Sequence, residues 1–172
     1  AMLNSVADFS SQNFSAIDPH RRAMILYTSG TTSLPKGVVS THANLEAQIT
    51  TLIKAWRWNS SDHILCVLPL HHVHGIVNVI CCSLRAGACC EFLPGAFSAE
   101  SVFNIFLKQK VNVFMAVPTI YYKLIAHWEK LNEGEQHKIS GQLEKFRLMV
   151  SGSAALPVSV MEKWKSISSH WL

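Results

Sequence analysis

The sequence carries little charge, and none of it is concentrated. Charged residues make up 15% of the 172 residues, and 15 Lys and Arg against 11 Asp and Glu leave a net charge of +4. The longest run of one sign is Arg21–Arg22, so the chain lacks the basic patch that marks nucleic-acid binding. We therefore expect no nucleic-acid partner, whereas a small polyanion remains compatible with this charge.

Long apolar runs are missing as well. The longest, residues 73–84, contains His74 and Asn78 and stops at Arg85, well short of the roughly 20 residues that a membrane span needs. Residues 1–15 show no basic stretch followed by an apolar core, so no targeting segment is predicted in this sequence. We expect no membrane span, and we expect any targeting information to lie outside these residues.

The cysteines form neither a metal-binding nor a disulfide pattern. All five stand in apolar runs without a Cys-x-x-Cys spacing, and an odd number does not close into a disulfide framework. Free cysteine is also among the most buried residue types. The pattern predicts buried thiols in a reducing compartment at Cys66, Cys81, Cys82, Cys89 and Cys90.

The chain does have enough apolar residues for a core. Hydrophobic residues make up 49% of the sequence, and a chain of this length suits one domain that buries about 70% of its unfolded surface. Residues 1–21 are polar and include the turn signal Asp18-Pro19, so they are interpreted as a lead-in loop. The folded domain is expected at residues 22–172.

Short apolar runs alternate with amphipathic stretches along that domain. Strands are predicted at residues 23–27, 37–41, 64–68, 88–93, 111–117 and 146–150. Helices are predicted from Asn44 with Thr41 as cap, at residues 75–84, at residues 98–110 with Ser98 as cap, and from Pro118 and Pro157, with a polar connection at residues 132–137. Because the strands are apolar on both faces, the pattern predicts an α/β fold with a mostly parallel sheet covered by helices.

Residues 27–37, Tyr-Thr-Ser-Gly-Thr-Thr-Ser-Leu-Pro-Lys-Gly, have the composition of a phosphate-binding loop. Their hydroxyls donate hydrogen bonds, Gly30 allows close backbone approach, and Lys36 supplies a movable charge. They do not form a Walker A loop, because Pro35 and Gly37 stand where that motif needs Gly and Ser or Thr. The alternative is a solvated Ser/Thr-rich turn between two strands.

This run is similar to the signature of the adenylate-forming superfamily, which includes acyl-CoA synthetases, luciferases and the adenylation domains of peptide synthetases. That signature reads Tyr-Thr-Ser-Gly-Thr-Thr-Gly-x-Pro-Lys-Gly, and only Ser33 departs from it. If the backbone there needs a positive φ, a serine strains the loop. The resemblance implies an ATP-binding set of Thr28, Ser29, Gly30, Thr31, Thr32, Ser33, Leu34, Pro35 and Lys36.

Three further segments resemble blocks of the same superfamily, in the same order. They are Leu-Pro-Leu-His-His-Val-His-Gly at residues 68–75, Ala-Val-Pro-Thr at 116–119 and Met-Val-Ser-Gly-Ser-Ala-Ala-Leu-Pro at 149–157. The resemblance implies a substrate or adenylate pocket formed by His72, His74, Ser151, Gly152, Ser153, Ala154 and Ala155, with His72 as the first choice for a carboxylate ligand. From the residues alone, the three histidines give only a weak metal signal, and the small-residue run is not a Gly-x-Ser-x-Gly elbow.

The resemblance implies ATP-dependent activation of a carboxylic acid to acyl-AMP and then to acyl-CoA, with ATP, Mg²⁺ and CoA as small-molecule partners. Three runs look closest to the mitochondrial branch that activates malonate or a related short acid. Residues 22–172 would then form part of the large N-terminal domain of an adenylate-forming enzyme. The magnesium-binding Glu and the catalytic Lys are expected beyond Leu172, so no catalytic residue is assigned. The alternative is a catalytically inactive fragment that binds a nucleotide or an acyl group.

Overall fold

The computed structural model describes residues 15–28, 34–108 and 110–172, and in them strands alternate with helices as predicted. The strands are β1 (Arg22–Thr28), β2 (Lys36–Thr41), β3 (His63–Cys66), β4 (Cys89–Phe92), β5 (Val113–Ala116) and β6 (Leu148–Ser151). The helices are α1 (His42–Trp56), α2 (Cys82–Arg85), α3 (Ala99–Lys108), α4 (Pro118–Trp128), α5 (Glu133–Leu143) and α6 (Val158–Ser168), and a π-helical segment, His74–Cys81, runs directly into α2.

Four strands form a parallel sheet in the order β4-β3-β5-β6. The chain leaves β3 towards β4 on one side and then crosses to β5 and β6 on the other. Because crossovers between parallel strands are right-handed, this reversal places the π-helical segment and α2 on one face and α3, α4 and α5 on the opposite face. The predicted α/β architecture with a parallel sheet is confirmed.

The strands β1 and β2 form a separate antiparallel hairpin, in which Ile25 pairs with Val39 and Leu26 with Val38. Neither strand has a second partner strand among the described residues. The strand predicted at residues 23–27 forms, but the prediction that it is buried was wrong, because Ile25 is 52% and Tyr27 68% exposed. An apolar run specifies that a strand can be buried, but it does not supply the layer that covers it.

The core lies around the two central strands. The side chains of β3 from Ile64 onward and all of β5 are buried. On one face, aromatic rings contact each other edge to face, with centroid distances of 5.1 Å for Phe106–Phe114, 5.8 Å for Phe114–Tyr121 and 5.0 Å for Tyr121–Trp164. Each such pair stabilises by about 0.5–1.5 kcal/mol beyond its buried area. The chain of rings joins α3, β5, α4 and α6 into one layer.

Local signals placed several helix ends correctly. Thr41 caps α1 as predicted, since its Oγ1 accepts the backbone N–H of Asn44 at 3.2 Å and the Asn44 side chain accepts the N–H of Thr41 at 3.1 Å. Pro118 occupies the first turn of α4, as expected for a residue that has no N–H to donate. Ser98 lies just before α3, and its Oγ accepts from the N–H of Ser101 at 3.4 Å.

One helix was missed, and one predicted helix forms with a different local geometry. The supposed polar connection at residues 132–137 begins α5, which Asn132 caps by accepting the N–H of Glu135 at 3.0 Å. Only Ile139 and Leu143 of α5 are buried, so its apolar periodicity is weak. The helix predicted at residues 75–84 is π-helical over its first part, where the N–H of Cys82 reaches back five residues to the carbonyl of Val77. Such widened turns are rare and often lie at functional sites.

All five cysteines are free thiols. Cys66 and Cys82 are buried, and Cys81 and Cys90 are half-buried, but Cys89 is exposed on the edge strand β4. The prediction of burial was therefore wrong for Cys89, because strand alternation turns it away from the core while its neighbour turns towards it.

In the described parts of the chain, no helix has both the length and the apolar character needed to cross a bilayer.

Candidate functional site

A cavity of about 560 Å³ opens at the carboxyl ends of the parallel strands. Its lining comes from three connections: residues after β3, after β5 and after β6. The lining residues are Leu68, Pro69, His72, Val73, His74, Gly75, Val117 and Ser153. A larger groove of about 850 Å³ lies between Ile17 and α1, but none of the predicted site residues that the structure describes lines it.

The strand order explains why the cavity forms there. The connections from β3 and β5 run to opposite faces of the sheet, so the chain separates above the carboxyl ends of these two neighbouring strands. In open α/β sheets, ligands bind at this topological switch point. The cavity therefore lies where the fold itself favours a ligand, independently of any motif.

His74 and Ser153 meet at this cavity although they are 79 positions apart. The Nδ1 atom of His74 lies 3.0 Å from Oγ of Ser153. Gly152 packs against the same ring, because a Cβ at this position would lie 3.1 Å from Cε1 of His74. Ser153 has a φ of +65°, in the left-handed region. The turn after β6 thus contacts the imidazole through two consecutive residues.

The environment of His74 determines its charge. The residue is only 7% exposed, and burial lowers the pKa of its imidazole from the ordinary value of 6.5. The ring is therefore neutral near pH 7, and it acts on a ligand as a hydrogen-bond donor or acceptor instead of as a cation. A neutral donor still binds an anionic oxygen by a charge-assisted hydrogen bond.

His72 also lines the cavity, but it is exposed, and its ring lies 4.2 Å from that of His71. The sequence ranked His72 first and His74 second as a carboxylate ligand, whereas the structure buries only His74 of the two. Nothing among the described residues supports a metal site, since no group of three His, Cys, Asp or Glu side chains comes together to hold an ion.

The end of β6 presents a further polar atom. The Oγ of Ser151 is buried and has no hydrogen-bond partner among the described residues. Next to it, Tyr121 donates from its hydroxyl to the carbonyl of Val150 at 2.9 Å, and the N–H of Gly152 donates to the carbonyl of Ala116 at 3.1 Å. Ala154 and Ala155, which the sequence also assigned to the pocket, are exposed and are not among the residues that line the cavity.

The predicted phosphate loop is described only at its two ends. Thr28 ends β1 and pairs across the hairpin with Lys36, which begins β2, and Leu34 and Pro35 precede Lys36. Lys36 is exposed, and so are Leu34 and Pro35. The predictions for Ser29, Gly30, Thr31, Thr32 and Ser33 lie outside the described residues.

Five lining residues were not assigned to the site from the sequence: Leu68, Pro69, Val73, Gly75 and Val117. Leu68 and Val117 follow two adjacent parallel strands. The strands predicted at residues 64–68 and 111–117 end at these two residues, so the strand predictions already pointed to both positions. Gly75 lies where a Cβ would come 2.7 Å from the carbonyl oxygen of Pro69, so it lets the π-helical segment start against the strand end. Only the three-dimensional contact reveals that requirement.

Comparison with known proteins gives consistent relatives. The AMP-binding enzyme family matches residues 3–170. The chain is 54% identical over 158 residues to the mitochondrial malonate–CoA ligase of Bos taurus and 42% identical over 160 residues to the malonate–CoA ligase of Arabidopsis thaliana. A solved structure of a malonyl-CoA ligase, a ternary product complex with methylmalonyl-CoA and AMP bound, superposes with a TM-score of 0.83 at 33% identity.

The matches cover most of this chain but only a part of each relative. The alignments take in 88% of this chain and 27% of the Bos taurus protein, and 87% of this chain and 26% of the Arabidopsis protein. The structural superposition covers 93% of this chain and 33% of the solved one. The chain thus spans roughly a quarter of the length of the curated relatives that it matches.

Proposed function

Since the chain belongs to the family of AMP-binding enzymes, we propose that it forms the acyl- and nucleotide-binding part of an acid–thiol ligase. In this reaction a carboxylate attacks the α-phosphorus of ATP and releases pyrophosphate, and the thiol of CoA then displaces AMP from the acyl-adenylate. The observation that carries the proposal is the cavity at the switch point, where three carboxyl-terminal connections of the parallel sheet meet.

The cavity suits an acyl-adenylate in shape and in chemistry. Gly75, which lines the cavity, packs against the carbonyl oxygen of Pro69, and Gly152 packs against the ring of His74, so neither position has room for a side chain. Leu68 and Val117 provide an apolar wall, and His74 provides a polar group. A mostly apolar cavity with a few convergent polar groups is the usual form of a small-molecule site.

The predicted loop that joins β1 and β2 would bind the phosphates of ATP. Thr28, Ser29, Gly30, Thr31, Thr32, Ser33, Leu34, Pro35 and Lys36 would contact them, as the family signature implies. The exposed ammonium of Lys36 would stabilise the negative charge that develops on the leaving pyrophosphate. Ser151, Ala154 and Ala155 complete the proposed adenylate set, in which the hydroxyl of Ser151, which has no hydrogen-bond partner among the described residues, would pair with the ligand.

The cavity lining itself does not fit Mg²⁺. None of the described residues that line it is acidic, and Mg²⁺ is bound through carboxylates, phosphates and water. ATP and CoA are proposed as co-substrates. Malonate is proposed as the acid, and a mitochondrial location is proposed as well, because the Bos taurus relative carries both in its name.

ATP–pyrophosphate exchange tests the proposal, because labelled pyrophosphate enters ATP only when an acid and ATP form acyl-AMP reversibly. The assay is run with malonate, with acetate and without acid, on this chain and on a longer protein that contains it. We expect malonate-dependent exchange by the longer protein. Exchange by neither protein would contradict the ligase function and favour a nucleotide- or acyl-binding fragment.

A pair of glycine variants connects the exchange to the cavity. In the longer protein, Gly152→Val should abolish exchange, because even a Cβ at Gly152 would lie 3.1 Å from the ring of His74. Gly141→Ala is the matched control, since nothing lies within 4 Å of a Cβ at that position in α5. Equal exchange by the two variants would separate the activity from this cavity.

A further inference from the structure

Ser153 combines a backbone that suits glycine with a side chain that glycine does not have. Its φ of +65° lies in the left-handed region, which is unfavourable for residues with a Cβ. Glycine would occupy the position with less strain. The hydroxyl, which lies 3.0 Å from Nδ1 of His74, is the contact that serine adds there.

Ser153 is exposed, and a hydroxyl both donates and accepts hydrogen bonds, so the 3.0 Å contact fits either tautomer of the ring. Among the described residues, the Ser153 side chain makes no hydrogen bond other than the one to Nδ1 of His74. If the hydroxyl donates to Nδ1, the neutral ring carries its proton on Nε2. In the described part of the chain, Nε2 of His74 makes no hydrogen bond, and Gly152 packs against the ring.

We propose that Ser153 is a positioning residue that holds His74 in the Nε2-protonated form, so that Nε2–H binds an anionic oxygen of the substrate in the cavity. The oxygen belongs to a carboxylate or to the acyl-phosphate group. The second half of this inference rests on the proposed function, whereas the effect of Ser153 on the ring proton does not. A neutral imidazole without this hydroxyl exchanges its proton between both nitrogens and offers the donor only part of the time.

Nitrogen NMR of the imidazole tests the first half on this chain without any ligand. Histidine labelled with ¹⁵N reports which ring nitrogen carries the proton, and His74→Gln identifies the signals of His74. We expect a protonated Nε2 and an unprotonated Nδ1 in the natural sequence, and a mixture of both forms in Ser153→Ala and in Ser153→Gly. These two variants lose the same hydroxyl but differ in backbone strain, so a shared effect comes from the hydroxyl.

Ser159→Ala, at an exposed position in the first turn of α6, serves as the control and should keep the natural pattern. If His74 keeps a fully protonated Nε2 in both Ser153 variants, the positioning role is wrong. The positioning role is also wrong if His74 of the natural sequence carries its proton on Nδ1.

A titration with sodium malonate tests the second half. Malonate should shift the Nε2–H signal of His74, and loss of the Ser153 hydroxyl should weaken its binding by up to about tenfold, the value of one hydrogen bond. If Ser153 controls the ring proton but malonate leaves the signal unchanged, the positioning role stands and the binding of the acid at this site is refuted. If malonate shifts the signal equally in all variants, the acid binds but Ser153 does not prepare the ring.

Discussion

Arg147 holds the carboxylate of Asp62 with two hydrogen bonds, from Nε to Oδ1 at 2.8 Å and from Nη2 to Oδ2 at 2.7 Å. A third bond runs from Nη1 to the carbonyl of Trp56 at 2.8 Å. Asp62 lies directly before β3 and is 1% exposed, and Arg147 lies directly before β6. The pair therefore joins α1 to the amino-terminal edge of the sheet, at the opposite edge from the cavity.

Arg147→Ala should reduce the free energy of unfolding by about 3 kcal/mol, because it leaves the buried Asp62 carboxylate without its cation. Urea unfolding followed by tryptophan fluorescence measures the change. Arg147→Lys should recover only part of the loss, since an ammonium group cannot reproduce the two-pronged geometry. The control is Arg85→Ala, which breaks an exposed pair with Glu46 at 3.6 Å and should cost less than about 1 kcal/mol. Equal losses for Arg147→Ala and Arg85→Ala would contradict a structural role for the buried pair.

Gly75→Ala should lower the melting temperature, with a loss of about 1–3 kcal/mol. A Cβ there would lie 2.7 Å from the backbone oxygen of Pro69, and a backbone atom between a strand end and the π-helical segment cannot move aside freely. Gly141→Ala should instead stabilise the chain by up to about 1 kcal/mol, because α5 has open space there and alanine favours a helix. Opposite shifts of the two melting temperatures are the expected result, and a stabilised Gly75→Ala would show that the contact is relaxed in solution.

The buried imidazole of His74 should make stability depend on pH. Its folded pKa lies below the ordinary value of 6.5 because of burial, so as pH falls the unfolded chain binds a proton at His74 before the folded chain does. Above pH 6.5 the ring is neutral in both states, and His74 does not lower the free energy of unfolding. Between pH 6.5 and the lower folded pKa that free energy falls, by at most about 1.4 kcal/mol per pH unit.

The free energy of unfolding, measured from about pH 8 to about pH 5, should therefore fall more steeply for the natural sequence than for His74→Gln. The difference between the two proteins isolates this histidine from all other titrating groups. Parallel curves over the whole range would mean that His74 titrates alike in the folded and unfolded chain.

Lys36→Ala should weaken ATP binding by about tenfold to a hundredfold in a longer, active protein that contains this segment, because a charge-assisted hydrogen bond to phosphate is worth about 1.5–3 kcal/mol. Competition with a fluorescent nucleotide measures the affinity. Lys54→Ala removes another exposed lysine, in the last turn of α1, and should leave the affinity unchanged. An unaltered affinity in Lys36→Ala would rule out the phosphate contact.

Thiol labelling should find one reactive cysteine. Burial raises the pKa of Cys82 to about 12, with the neighbouring Cys81 as a second cause, and burial also raises the pKa of Cys66, Cys81 and Cys90. Iodoacetamide at about pH 8 should therefore modify the exposed Cys89 first. Peptide mass spectrometry locates the label. The fast phase should vanish in Cys89→Ser, and its persistence would place the reactive thiol elsewhere.

The sequence predicted those parts of the fold that local signals determine. Thr41 and Pro118 mark helix starts through their own hydrogen-bonding chemistry, and the apolar runs at β3 and β5 predict buried strands. The helix α5 was missed, because a helix that buries only Ile139 and Leu143 has little apolar periodicity. The exposure of β1 was missed for a different reason, since burial depends on whatever else packs against a strand.

The candidate site was predicted by resemblance and only partly by physical reasoning. The segments that line the cavity follow predicted strands, and such positions favour a ligand once the strands are known to be parallel. The contact of His74 with Ser153 spans 79 positions and depends on the strand order, which no local pattern specifies. For the same reason the sequence could not decide between His72 and His74 by burial.

The β1–β2 hairpin has a consequence for how this chain behaves in solution. Its two strands carry Ile25, Tyr27, Val38 and Val39 at 45% exposure or more, and neither strand is paired on its outer edge with another described strand. Open strand edges with apolar side chains are templates for the addition of further strands. Self-association of this chain should therefore start at the hairpin, while the four-stranded sheet, whose central strands are paired on both sides, stays intact.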